Sequence, residues 1–124
     1  MKSCSLMIVD DSMVFRNRIQ RLATGGSLTG LSVVALAGNG MDAIELARRH
    51  RPDAVTMDLT MPLMDGPECL AALRELLPDS RVLVVSALSD RSTALKAMMN
   101  GAHGFLLKPF SDQQLIESLQ ELLA

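Results

Sequence analysis

The stretch AVTMDLTMPLMDGP, residues 54–67, decides how the chain is read. Ala54, Val55, Thr56 and Met57 form a short, mostly apolar run of the kind a buried parallel strand needs. Asp58 then arrives where the strand should still be half-buried. Asp is disfavoured in strands, and its charge is costly to bury unless something pairs with it. Asp65-Gly66-Pro67 reads as a turn leading into a helix with Pro at its first position. A strand ending on a carboxylate, followed by a turn and a helix, is a βα unit with a polar group at its seam.

The same alternation recurs on both sides. Apolar runs SLMIV (5–9), LSVVALA (31–37), AVTMD (54–58), RVLVVS (81–86) and HGFLL (103–107) alternate with helical patterns. Phe15, Ile19 and Leu22 repeat at helical spacing until Thr24-Gly25-Gly26 stops that helix. Between Gly40 and His50, Ala43, Ile44 and Ala47 share one side, and Arg48, Arg49 and His50 suit a helix C-terminus. A third helix runs from Pro67 to Leu77 and ends before Pro78, and Asp90 can cap a fourth running to Gly101. Ser111 followed by Asp112 and Gln114 resembles a capping box opening the last helix. On the fourth helix Ala94, Leu95 and Met98 are expected on the inner side, leaving Met99 outside. Five such units predict an α/β fold: one domain over residues 1–124, a doubly wound parallel sheet with helices on both faces.

Composition excludes several classes. A net charge of −2 argues against a broad nucleic-acid footprint, which needs a basic excess. No apolar run approaches membrane-spanning length, and Met1-Lys2-Ser3-Cys4 lacks the long apolar region of a signal peptide. Cys4 and Cys69 lie far apart with no His at metal spacing and read as reduced thiols. A cytoplasmic location with no membrane partner is expected.

In a doubly wound sheet, sites form beyond the carboxyl ends of the strands. There the first strand ends in Asp10-Asp11, the third in Asp58, the fourth in Ser86 and the fifth in Lys108. Two carboxylates about 4 Å apart repel by roughly 4 kcal/mol at an effective dielectric near 20. Three beside one lysine therefore need a cation or a bound proton. Only oxygen ligands are offered, which favours a hard ion such as Mg²⁺. Asp58 is then the natural nucleophile, since carboxylates form aspartyl-phosphates. The metal and Lys108 would neutralise the transferring phosphoryl oxygens, and Ser86 could donate a hydrogen bond to one of them.

Four segments in order, MIVDDS (7–12), MDLTMPLMDG (57–66), VVSAL (84–88) and FLLKPF (105–110), span the chain. With them the chain resembles the receiver domains of response regulators, most of all the stand-alone CheY-type chemotaxis regulators. The resemblance, not the spacing, implies a flavodoxin-like (βα)5 fold with strand order 2-1-3-4-5. It implies that Asp58 accepts a phosphoryl group from a sensor histidine kinase. Asp10, Asp11 and Asp58, with the Thr60 backbone carbonyl, would hold Mg²⁺, the acidic pair directly or through water. It further implies that Lys108 pairs with the phosphate, that Ser86 is the switch hydroxyl, that Phe105 is a rotating aromatic, and that a cis peptide precedes Pro109. The expected function is a phosphorylation-activated signalling switch of a two-component system that catalyses its own phosphotransfer and autodephosphorylation. Its downstream protein target is expected on the face of the fourth helix, fifth strand and fifth helix, with chemotaxis as the output. Thr60 stands where relatives commonly carry Asn, and Leu88 where they carry a polar side chain; both flank the path of a hydrolytic water and are expected to tune the phosphoryl lifetime.

Other readings stand beside this one. The chain is expected to be a complete single-domain regulator, but it also fits a receiver excised from a larger regulator with a DNA-binding or enzymatic output domain, because NGAHGFLLK (100–108) resembles receivers of that kind. An aspartyl-phosphate hydrolase of the haloacid dehalogenase type wants a second Asp where Thr60 stands. A flavin or nucleotide site is disfavoured, because Asp10-Asp11-Ser12 would repel a phosphate that a Gly-rich loop cradles. Arg16, Arg18 and Arg21 could meet a kinase domain or form a solvated face. Asp65 reads as a turn residue, and His50 and His103 as structural or exposed.

Overall fold

Strands and helices alternate along the chain as β1 (Cys4–Val9), α1 (Met13–Thr24), β2 (Leu31–Ala37), α2 (Gly40–His50), β3 (Ala54–Met57), α3 (Gly66–Leu76), β4 (Arg81–Ser86), α4 (Arg91–Met99), β5 (Gly104–Leu107) and α5 (Asp112–Leu123). The structure, a computed structural model, describes residues 3–59, 66–87 and 91–124; Thr60, Asp65, Leu88 and Asp90 lie outside them. All strand pairs are parallel and the order is β2-β1-β3-β4-β5, as the resemblance implied. The winding direction reverses at β1 and β3, so their carboxyl ends open onto the crevice.

Every residue of β3 is buried, which is why its sequence reads as a continuous apolar run. Strand alternation divides the core in two. Leu6, Ile8, Ala54, Leu83 and Val85 pack with Ile19 of α1 and with Leu115 and Leu119 of α5. Met7, Val9, Val55, Met57, Val82 and Val84 pack with residues of α2, with Leu70 and Leu73 of α3 and with Ala97 of α4. Burying one such leucine contributes roughly 1.5–3 kcal/mol, against about 1 for a good N-cap, so packing rather than capping holds the helices. The caps set where they start. Ser12 Oγ accepts from Phe15 N–H at 3.4 Å, and Asn39 Oδ1 accepts from Asp42 N–H at 2.8 Å. Ser111 and Gln114 form the expected reciprocal capping box, with bonds of 3.1 and 2.8 Å.

Three features correct or add to the sequence reading. On α4, Leu95 and Met98 do not face inward: they are 62% and 45% exposed, Met99 is 77% exposed and Ala97 is buried, while the side chain of Ala94 lies outside those described. Polar and apolar residues are mixed around this helix, so period alone cannot choose its inner side, and Ala97 joins the buried cluster that holds Val84 and on which Phe105 packs. On α1, Arg18 is half-buried and already engaged within the chain, because its Nη2 donates to Phe110 O at 2.7 Å and to Asp112 Oδ1 at 2.8 Å. Arg16 is likewise engaged, at the site described below. The third concerns β2: register slips between Leu6↔Val33 and Met7↔Ala35, so Val34 is an extra residue and both Val34 and Ala35 pack on the α2–α3 side. An edge strand tolerates such a bulge.

His103 is exposed yet structural. Its backbone N–H donates to Val82 O at 2.8 Å, and its Nδ1 accepts from Val82 N–H at 3.0 Å, extending the β4–β5 ladder with a side chain. Burial first, then the Arg74 and Arg81 charges, lowers its pKa from the ordinary 6.5. Above 6.5 the imidazole is neutral in both states and nothing is lost. Below it the unfolded chain binds a proton that the folded one resists, so stability falls as pH drops from 6.5 towards the lowered folded value. We expect the melting temperature of the wild type to fall more steeply over that acid range than that of His103→Asn, whose side-chain carbonyl can accept the same bond without titrating. Parallel melting-against-pH curves would remove His103 from the acid response.

Candidate functional site

Parallel register brings the polar strand ends together. Val9 pairs with Met57 and Met57 with Val84, so Asp10 and Asp58 leave the sheet side by side. Backbone bonds then fix the seam: Asp58 N–H donates to Val9 O at 2.9 Å, Asp10 N–H to Ala37 O at 3.0 Å, and Lys108 N–H to Ser86 O at 2.9 Å. The spacing of the functional side chains is thus set by main chain. The Lys108–Pro109 peptide is cis, as implied.

Asp10 is buried and held at two points. Its Oδ1 accepts from Ser12 N–H at 2.9 Å, its carbonyl accepts from Arg16 Nη1 at 2.7 Å, and its side chain is 1% exposed. Gly38 keeps the lane for Arg16 open, since a Cβ there would lie 3.1 Å from Nη1. Asp58 and Ser86 are buried, whereas Asp11 is exposed. One carboxylate oxygen from each of Asp10, Asp11 and Asp58 lies within 4.8 Å of the others. At that distance each pair repels by about 3.5 kcal/mol at an effective dielectric near 20. Lys108 Nζ lies 2.7 Å from Asp10 Oδ2 and 3.3 Å from Asp58 Oδ2, with its side chain only 8% exposed. Among the described residues one ammonium faces three carboxylates, so negative charge is in excess of it. The Lys108–Asp10 contact is an ion pair without hydrogen-bond alignment, so the buried Oδ2 keeps lone-pair capacity towards a further cation. An all-oxygen set with residual charge and an open acceptor fits a hard divalent ion such as Mg²⁺ and disfavours a soft one.

Ser86 and Phe105 share one side of the sheet. Val82 and Val84 face the α2–α3–α4 side, alternation places Ser86 there too, and Phe105, half-buried, packs on the same cluster. Thr60 and Leu88 lie outside the described residues. Of the expected site residues the structure therefore brings together Asp10, Asp11, Asp58 and Lys108 directly, with Ser86 tied to Lys108 through the main chain.

Two neighbours were not placed at the site from sequence. Arg16 reaches the Asp10 carbonyl, and Phe15, whose helical spacing reads as core, places its ring centroid 4.1 Å from Lys108 Nζ. The available signal was scarcity: the chain has three Phe and no Tyr or Trp, so each aromatic is a candidate for a specific contact.

Comparison with known proteins agrees with this geometry. The chain is 36% identical over 118 residues to the chemotaxis protein CheY of Bacillus subtilis, covering 95% of its own length and 96% of that protein. The receiver domain of the response regulator NarL from Mycobacterium tuberculosis superposes with a TM-score of 0.87 at 32% identity, over 98% of this chain and 96% of that one. CheY in the CheX–CheY–BeF3–Mg complex of Borrelia burgdorferi superposes with a TM-score of 0.91 at 27% identity, over 99% and 91%. No helix among the described residues is long and apolar enough to cross a membrane. Residues 6–120 match the family described as the response regulator receiver domain, and the chain belongs to it, a phosphorylation-activated switch of two-component signalling.

Proposed function

We propose that Asp58 is the phosphoacceptor, that Asp10, Asp11 and Asp58 with the Thr60 carbonyl hold Mg²⁺, and that Lys108 and Ser86 receive the transferred group. The observation that carries this reading is the buried Lys108 ammonium bridging Asp10 and Asp58 beside a third carboxylate. An Asp58 carboxylate oxygen attacks the phosphorus, the bond to the kinase histidine nitrogen or small-donor oxygen breaks, and its electron pair leaves with the donor. Mg²⁺, when bound, supplies positive charge to the phosphoryl oxygens. Lys108, released from part of its carboxylate pairing, follows the new negative charge, and the Ser86 hydroxyl donates to a phosphoryl oxygen.

Phosphorylation adds about −1.5 to −2 charges at Asp58. Ser86 then moves towards it, vacating space on the side of the sheet that Phe105 shares. The output face is that of α4, β5 and α5, where Leu95, Met98, Met99 and Leu107 are exposed. Reversing a 1:99 population to 99:1 requires roughly 5.5 kcal/mol of differential interaction. A sensor histidine kinase as donor follows from the receiver family, and a chemotaxis target as reader is supported by the names of the relatives. Thr60 and Leu88 tune the lifetime by the water they orient or exclude.

The test is incubation with acetyl phosphate and Mg²⁺ followed by intact mass. Wild type is expected to gain one phosphoryl group and Asp58→Asn none, since the amide keeps the shape and removes the nucleophile. Phosphorylation of Asp58→Asn at the wild-type rate would end the assignment.

A further inference from the structure

Lys108 is held by more than carboxylates. Its Nζ sits 4.1 Å from the Phe15 ring centroid, and Phe15 stacks on Phe110 with centroids 5.7 Å apart and planes at 51°. The Arg18 guanidinium lies 4.6 Å over the other ring, Phe110. Arg18 is itself anchored by Asp112 Oδ1 at 2.8 Å and by Phe110 O at 2.7 Å. These residues form a column, ammonium, ring, ring, guanidinium, that ties α1 to the end of β5 and the start of α5. Two of the chain's three Phe stand in it.

A lysine is a flexible four-carbon stem carrying a strongly hydrated point charge. Nearly buried, this one has lost most of its hydration. Carboxylates alone fix it poorly, because Asp10 and Asp58 are the very groups whose charge balance changes when a cation or a phosphoryl group arrives. A ring face has no such competitor. Its quadrupole attracts the ammonium whatever the carboxylates do, and more strongly where water is excluded. We infer that Phe15 is a positioning residue for phosphotransfer, its ring holding the Lys108 ammonium at the mouth of the Asp58 pocket. This rests on the reading of Lys108 as the cation that meets the phosphoryl group. A residue that only filled core would be replaceable by leucine; one that acts through its π face would not.

The test uses the full chain and two readouts. In metal-free protein, the Lys108 ε-methylene resonance is expected upfield of those of the other two lysines, Lys2 and Lys96, as the ring current of a face-on aromatic requires. Phe15→Tyr keeps that shift and Phe15→Leu loses it. The second-order rate of phosphorylation by acetyl phosphate with saturating Mg²⁺ is expected to fall about 2- to 30-fold in Phe15→Leu and to be restored in Phe15→Tyr. In a Lys108→Ala background, Phe15→Leu should cost nothing further. An unshifted Lys108 resonance in wild type overturns the proposal even if Phe15→Leu fails to fold. So does a slow Lys108→Ala beside a Phe15→Leu of wild-type rate, or singles whose effects multiply. Should Lys108→Ala itself react at the wild-type rate, the failure lies in the role given to Lys108, and the role of the ring falls with it.

Discussion

Lys108→Ala is expected to move phosphorylation and metal affinity in opposite directions. Its ammonium lies 2.7 Å from Asp10 and 3.3 Å from Asp58, two of the three carboxylates that would hold Mg²⁺. Removing it takes a competing cation from the metal site. Discounted for the solvent that reaches exposed Asp11, the relief is about 1–2 kcal/mol, so Mg²⁺ should bind roughly 5- to 30-fold tighter. The same change removes an oriented charge from the developing phosphoryl oxygens, a loss of about 100-fold or more in rate. Mg²⁺ titration and acetyl phosphate kinetics on one preparation check both halves. A fall in both would show that Lys108 holds the pocket together rather than serving the reaction.

The second large effect lies far from the chemistry. Gly101 has φ of +103°, and a Cβ there would stand 2.8 Å from Arg74 Cγ and 2.9 Å from Nε. Arg74 cannot simply swing away: Nη1 donates to the Ser80 carbonyl, and Nη2 to Pro78 O at 2.8 Å, knitting the α3–β4 turn. Gly101→Ala therefore combines backbone strain of about 1–3 kcal/mol with lost carbonyl contacts of about 1 kcal/mol, for a total near 2–4 kcal/mol. Against a typical domain stability of about 5–15 kcal/mol this should lower the urea midpoint markedly. In an Arg74→Ala background only the backbone part should remain. A loss below about 0.5 kcal/mol in the wild-type background would show that the turn reshapes freely.

The five strands were legible because central parallel strands are apolar on both faces, and the last helix's capping box because Ser111 and Gln114 act on each other within three residues; the Ser12 and Asn39 caps went unread. The strand-end residues were legible because parallel register converts a one-dimensional pattern, polar residue after apolar run, into a three-dimensional cluster. What sequence hid was orientation and partnership. Leu95 and Met98 looked inward because polar and apolar residues are mixed around α4, and only the burial of Ala97 in the cluster that holds Val84 shows its rotation. The bulge at Val34 sets two successive residues of LSVVALA, Val34 and Ala35, on one side of the sheet, which the apolar run does not announce. Arg16, Arg18 and Phe15 read as a basic, amphipathic helix face, yet each is committed to a group distant in sequence or to a backbone carbonyl that no motif announces. The strand order came from family resemblance, since right-handed crossovers leave more than one order open.

The most direct test of the central claim is to locate the phosphoryl group itself. The wild-type chain, treated with acetyl phosphate and Mg²⁺, is reduced with borohydride to trap the acyl phosphate, digested and mapped by mass spectrometry. Reduction confined to Asp58, dependent on Mg²⁺ and absent when Lys108 or Asp58 is replaced at matched short times, is the expected result. A trapped acyl phosphate on Asp10 or Asp11 instead, or none at all from folded wild type, would contradict it.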